Sequence, residues 1–428
     1  MSCSFEILNN LSITSNVNVG SNESPIVGLR WLDEVSITSF SHEFSLLSAA
    51  SFLTLMGIVT VWTVRLLLPR KSTRQLSKTE FTSTALLFIL ACELPIFLST
   101  PKEGLVDLIQ GTDPLLNEIL TRVPSIKQGP SPPLLLRNRH IQFIPWLIQN
   151  EIHRMQGIPY QRVDVEVSDC INKVQECNAV MNDTVTLDIF PPFDSEYQGF
   201  NKSSPVILYA PGLSSHSQDL PGNSIVRKAY GVGFRSIVVN RRGHTPNQRL
   251  KSPRWNLFGD VDDLEQVYWF IKQNLVTNDT AFFLHGISAG TAVTVTALSK
   301  WDRRRAVEPD RPAPAIVASL DLTPGYDIST VMLRERFLWP YNDLLMQTVK
   351  GHFVVQNEEL LRSHDNETVD KLLRATSLQE IVDVGVIFAG YENVTHYYED
   401  INPINALKDI MTPKLVLNAV DDVSACIP

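Results

Sequence analysis

The pentapeptide Gly286-Ile287-Ser288-Ala289-Gly290 constrains this chain more than any other feature, because of what flanks it. The run AFFLH (281–285) before it has the length and apolar continuity of a buried strand, and a helical run beginning TAVTVTAL follows it. A chain that turns from strand to helix this tightly has room only for small residues at the two glycine positions, and it thrusts the serine to the end of the sheet. The helix N-terminus beside that serine favours developing negative charge. The competing interpretation is a glycine-rich turn whose serine caps the helix.

Beyond residue 160 the sequence alternates regularly. RVDVEV (162–167) and TVTLDIF (184–190) switch between apolar and polar residues, as half-exposed antiparallel strands do. VILYA (206–210), SIVVN (236–240), AIVASLDL (315–322) and KLVLNA (414–419) are nearly continuous apolar runs, the signature of strands covered on both faces. Between them, Leu264, Val267, Tyr268 and Ile271 fall on one helical face. Strand and helix in alternation imply an α/β fold with a mostly parallel sheet and right-handed crossovers. Residues 324–405 break the rhythm and carry scattered aromatics (Phe337, Trp339, Tyr341, Phe353), which suits an inserted helical cap.

Two further segments complete a candidate site. Tyr209-Ala210-Pro211-Gly212-Leu213 leaves the strand VILYA, and a glycine there lets the next backbone N–H point into a cleft. Acyl transfer needs two such donors for its oxyanion. They are expected from Leu213 and from Ala289, the residue after the serine. Val420-Asp421-Asp422 follows the strand KLVLNA, where a carboxylate could orient a histidine; the alternative is a solvated Asp-rich turn.

The first 130 residues are of another kind. Residues 44–64 are apolar and carry no formal charge over 21 positions, enough to cross a hydrocarbon core of ~30 Å. A single membrane pass is expected. The basic residues Arg65, Arg70, Lys71, Arg74 and Lys78 follow that run and would place the downstream chain in the cytosol, whereas Asn-x-Ser/Thr sequons at Asn182, Asn201, Asn278, Asn366 and Asn393 are usable only on the lumenal side. A second apolar stretch, 81–98, contains Glu93 and Pro95 and is expected at the interface rather than across it. With 37 Lys and Arg against 46 Asp and Glu and no basic stripe, nucleic acid is excluded as a partner. Five cysteines without a CxxC pair give neither a disulfide framework nor a metal site.

The order of PGLSSHS, NRRGHTPN (240–247), SPRWNLFGDVDDLE (252–265), HGISAG and LNAVDDVSACIP resembles the membrane-anchored α/β-hydrolase-domain lipase and esterase family, which includes the yeast medium-chain fatty-acid ethyl-ester synthases and esterases. RNRHIQFIPWL (137–147) resembles the segment preceding that family's first strand, so the likeness covers roughly residues 135–428. The resemblance implies a membrane-anchored serine hydrolase of α/β-hydrolase fold that cleaves carboxylic esters of lipids (acylglycerols or phospholipids) without a cofactor. Ser288 would be the nucleophile and Asp422 the triad acid, with Asp421 the lesser candidate. The implied layout is a polar tail (1–43), an anchor (44–68), a linker holding the interfacial segment (69–135) and a catalytic domain (136–428) with its cap at about 324–405. One departure is mild: Ala289-Gly290-Thr291 stands where the family more often has a bulky residue and two glycines. The other is large. The family's histidine lies beyond the acid, after one further strand, and no histidine follows His396 here. The last strand and helix are therefore expected to be absent and activity impaired, with a non-catalytic lipid-binding or regulatory role as the alternative. His216, His244 and His285 are expected to serve structure rather than to replace the missing base.

Overall fold

The computed structural model describes residues 118, 121–124, 139–170, 180–193, 197, 199–245, 248–259, 261–331 and 341–418. The expected anchor, the interfacial segment 81–98, Phe337, Trp339, Asp421 and Asp422 lie outside them. No helix among the described residues is long and apolar enough to cross a membrane. Every element from the first strand onward belongs to one of the chain's two compact units.

Helix α1 (Arg139–Gln156) leads into seven strands: β1 (Gln161–Cys170), β2 (Val180–Phe190), β3 (Val206–Ala210), β4 (Arg235–Asn240), β5 (Phe282–Ile287), β6 (Ala318–Leu322) and β7 (Lys414–Leu417). They form one sheet in the order β1-β2-β4-β3-β5-β6-β7. β1 and β2 pair antiparallel, β2 meets β4 antiparallel, and all pairs from β4 to β7 are parallel. The sequence pattern accounts for this division. All five residues of β3 and all six of β4 are buried, as strands covered on both faces must be, whereas β1 alternates.

Helices α2 (Leu220–Gly231), α3 (Val261–Asn274) and α4 (Ala289–Val307) supply the crossovers. Leu264, Val267, Tyr268 and Ile271 of α3 pack with Val293, Val295 and Leu298 of α4 against Val185, Leu187, Leu208 and Leu284 on one face of the sheet. Each such side chain contributes roughly 1.5–3 kcal/mol by leaving water. The opposite face carries Tyr209, Phe190 and Val238 against Val226 of α2. Glu265 joins α3 to α4 by accepting from Trp301 Nε1 at 2.9 Å and from Arg304.

After β6 come α5 (Ile328–Val331), α6 (Tyr341–Val349), α7 (Glu358–His364), α8 (Asn366–Arg374), α9 (Leu378–Gly385), α10 (Val394–Ile401) and α11 (Pro403–Ala406). Their apolar faces make a second core around Phe353, Leu361, Val369, Leu372, Ile381 and Phe388. Trp255, Leu257, Ala289 and Ala292 join this core, and Leu213 packs against it, so the helical layer closes over the C-terminal ends of β3 and β5. A π-helical turn, 350–354, interrupts the helical run after α6 and carries Phe353 inward. The sequon asparagines Asn182, Asn201, Asn278, Asn366 and Asn393 are solvent-exposed.

Candidate active site

Ser288 stands between β5 and α4 with φ 52° and ψ −119°, a conformation L-residues avoid. Its surroundings hold it there. The Ser288 N–H donates to Leu322 O at 2.7 Å, tying the turn to the end of β6, and Ser288 O accepts from Thr291 N–H at 2.9 Å. The two flanking glycines have no alternative. A Cβ on Gly290 would lie 2.0 Å from Ala210 O, and one on Gly286 would lie 2.6 Å from Thr294 Oγ1 and 2.8 Å from Thr291 Cα. Ser288 is half-buried, with the first amide of a 19-residue helix at its side. That amide, on Ala289, is one of the helix's N-terminal donors without an intrahelical partner, and the helix dipole adds to its pull on an anion.

The loop leaving β3 passes directly beside the serine: a Cβ on Gly212 would sit 3.4 Å from Ser288 Cβ and 4.0 Å from its Oγ. Leu213 is therefore on the same side of the sheet's end as Ser288, next to the helical layer. Ser214, the following residue, has φ 53°. The structure thus brings Ser288, Ala289 and Leu213 together. The serine hydroxyl thus lies between the Gly212 backbone and the start of α4, in a site roofed by apolar side chains.

Three of the described histidines near the sheet's end hold structural contacts. His285 is buried, donates from Nδ1 to Leu320 O at 2.8 Å and stacks on the Tyr209 ring at 5.2 Å; burial pushes its pKa down to about 4. His244 is fully buried, accepts the Ser214 N–H on Nδ1 at 3.2 Å and donates from Nε2 to Asn256 O at 3.3 Å. Burial, with the Arg241 charge, holds its pKa well below the usual imidazole range, which keeps the ring neutral. His216 accepts the Gln218 N–H on Nδ1 at 3.2 Å, and burial lowers its pKa despite Asp219 Oδ1 at 3.8 Å. Asp321, buried at the end of β6, accepts from Thr294 Oγ1 and Tyr326 Oη, each at 3.1 Å, and pairs with Lys414 of β7.

Sequence reasoning had not singled out Arg241. It is buried and donates from Nη2 to Pro211 O at 3.1 Å and to Gly212 O at 3.4 Å, and from Nη1 to Leu257 O at 3.2 Å. The signal was present as three consecutive polar side chains, Asn240-Arg241-Arg242, at the end of an otherwise apolar strand. Among the described residues no group of three or more His, Cys, Asp or Glu side chains could hold a metal ion.

A strained serine between the fifth strand and its helix, on a sheet ordered in this way, is the framework of the α/β-hydrolase fold, which the described residues adopt. The chain's sequence is similar to lipases. Monoacylglycerol lipase ABHD2 of Mus musculus is 26% identical over 253 residues, 56% of this chain and 56% of that protein, and the Homo sapiens protein gives the same figures. Phospholipase ABHD3 of Mus musculus is 26% identical over 250 residues with the same coverage. The chain spans a little over half the length of these curated relatives. No family model matches it. Among solved structures, the α/β hydrolase GrgF from Penicillium sp. covers 60% of this chain and 80% of its own at 15% identity and a TM-score of 0.30. The fold assignment rests on the sheet order and the serine turn.

Proposed function

We propose that the protein is a membrane-anchored serine hydrolase that cleaves carboxylic esters of lipids, acylglycerols or phospholipids. Ser288 Oγ attacks the ester carbonyl, and the N–H groups of Leu213 and Ala289 hold the oxyanion. Collapse of the tetrahedral intermediate expels the alcohol, and water then releases the fatty acid from Ser288. Asp422 would orient a histidine base, which takes the serine's proton and passes it to the departing alkoxide. The hydrophobic run 44–64 anchors the chain beside its substrate. The observation that carries this reading is Ser288 at positive φ, its Oγ 4.0 Å from the place a Gly212 Cβ would take, next to a helix N-terminus. The lipase names of the relatives support the substrate class.

The base is where a second reading finds its support. His216, His244 and His285 each spend Nδ1 on a structural hydrogen bond. A serine without a base is a weak nucleophile, and in one serine protease its removal costs on the order of 10⁶ in kcat. A non-catalytic lipid-binding protein would use the same roofed cleft. Labelling of the full-length chain with an alkyl fluorophosphonate separates the two. Labelling that disappears in Ser288→Ala supports the hydrolase; absence of labelling in a folded chain that still retains a fluorescent acylglycerol analogue supports the binder.

A further inference from the structure

Asn240–His244, the stretch that leaves β4, takes no part in the reaction proposed above, yet it grips the loop that carries Leu213. The peptide unit joining Gly212 to Leu213 is planar and trans, so its C=O and N–H point in opposite directions. The Gly212 carbonyl accepts from the Ser215 N–H at 3.2 Å and from Arg241 Nη2 at 3.4 Å, which turns the Leu213 N–H away from the guanidinium. The next peptide unit is held by its other end, with the Ser214 N–H donating to His244 Nδ1 at 3.2 Å. Both planes flanking Leu213 are thereby fixed, one through its oxygen and one through its nitrogen. A third anchor lies at the loop's far end. The Ser217 N–H donates to Asn240 Oδ1 at 3.1 Å, and Asn240 Nδ2 and Ser217 Oγ both donate to the fully buried Asp188, at 2.8 and 2.5 Å.

The helical layer braces this grip. Phe353, on the π-helical turn, meets the His244 ring edge-on with centroids 4.8 Å apart. Gly243 has φ +73°, and a Cβ there would lie 2.8 Å from the Phe353 ring. We infer that Arg241 and His244 are positioning residues that set the direction of the Leu213 N–H, the loop's half of the oxyanion hole. The inference rests on the hydrolase reading for its catalytic consequence, though not for the geometry itself.

The test uses the full-length chain with His244→Leu, His244→Asn and Arg241→Lys, and three measurements. These are amide hydrogen exchange across 211–219, the rate of Ser288 phosphonylation by an alkyl fluorophosphonate, and the urea midpoint. Asparagine restores an acceptor near the Nδ1 position and leucine does not; lysine keeps the charge of Arg241 but loses its fork. His244→Leu and Arg241→Lys should raise exchange at the loop and slow phosphonylation ~10²–10³-fold, the usual effect of losing one oxyanion donor. His244→Asn should recover most of both, while its midpoint matches that of the leucine variant. Parent-like phosphonylation in His244→Leu, or equal losses in the asparagine and leucine variants, would overturn the inference. If leucine prevents folding, Arg241→Lys against the parent decides by the same readouts. If the parent is not phosphonylated at all, the hydrolase reading fails, and exchange at Ser214 alone decides: protection lost in leucine and kept in asparagine sustains the positioning role, and unchanged protection refutes it.

Discussion

Replacing Gly290 with alanine tests the close approach on which the whole site depends. The new Cβ would meet Ala210 O at 2.0 Å, Ala210 C at 2.7 Å and Pro211 O at 2.7 Å. Ordinary van der Waals contact begins near 3.4 Å, so helix α4 and the β3 loop must part by about 1.4 Å, the difference between 3.4 and 2.0 Å. These contacts are backbone, which cannot swing aside as a side chain can. Alanine returns ~1 kcal/mol of helix propensity, since Gly290 lies in the first turn of α4. Overpacking costs about 1–3 kcal/mol and more where backbones collide, so a net loss of about 2 kcal/mol or more is expected. A separation of this size also misplaces Ser288 against Leu213, which should slow fluorophosphonate labelling on the order of 10²-fold. Gly231→Ala, at the end of α2 where a Cβ meets nothing within 4 Å, is the matched control and should be neutral or gain up to ~1 kcal/mol. Urea unfolding of both variants gives the stability readout. A Gly290→Ala chain with the parent's midpoint and labelling rate would show that α4 and the β3 loop do not approach as described, and the serine's geometry would fall with them.

Other expectations follow from buried charge and from the anchor. Lys414→Met strips the fully buried Asp321 of its cation and should cost about 3–5 kcal/mol by urea unfolding, most of it recovered when Asp321→Asn is added. His285, with its pKa lowered to about 4 by burial, stays neutral in the fold while the unfolded chain takes up a proton below about pH 6.5. Its contribution is therefore intact above pH 6.5 and is lost as pH falls toward 4, by roughly 3 kcal/mol in total. Stability measured across that window should fall less steeply in His285→Gln, and parallel curves would reject the assignment. Deleting residues 44–64 should move the protein from the alkali-resistant membrane fraction to the supernatant; retention in the pellet would mean that another segment holds it.

What the sequence disclosed follows from the range of the interactions involved. The strand VILYA is wholly buried and the helical face of Leu264, Val267, Tyr268 and Ile271 is buried, because burial is written in local periodicity. The serine turn was legible because its steric demand falls on residues within two positions of it. β5 nevertheless runs on through Gly286 and Ile287, since pairing with Asp321 and Leu322 of β6 carries it past the last apolar residue of the run. Arg241 was not legible as a holder of the loop, because its partners Pro211 and Gly212 lie 30 and 29 positions away and no spacing rule joins them. The π-helical turn at 350–354 was hidden for the opposite reason. It shifts the helical phase by a residue, so a search for a constant period misassigns which side of that segment, Phe353 included, faces the core. Asp422 lies outside the described residues, and its role is read from the sequence alone.

The buried arginines have a common logic. Arg235, Arg241, Arg242 and Arg254 are all at most 5% exposed. Arg242 pairs in a bidentate manner with Asp263 at the start of α3. Arg235 and Arg241 instead spend their donors on carbonyls of irregular backbone: Pro191 and Asn201 for the first, Pro211, Gly212 and Leu257 for the second. Loops that cross the end of a sheet have carbonyls with no ladder to join, and each would be costly to bury unpaired. Apolar packing cannot answer that need, because it is non-directional and leaves a peptide plane free to rotate. A guanidinium can, since its donors are fixed in one plane and several carbonyls bind it at set angles. An oxyanion hole raises the requirement further. Its N–H groups must face an open cleft without partners until substrate arrives, so whatever fixes them has to act from behind, on the opposite end of the same peptide. In the proposed hydrolase, Arg241 stands in that place for Leu213. The desolvation of its charge is the cost of a donor held ready, and replacing it with an apolar residue of equal volume would relieve that cost while releasing the loop.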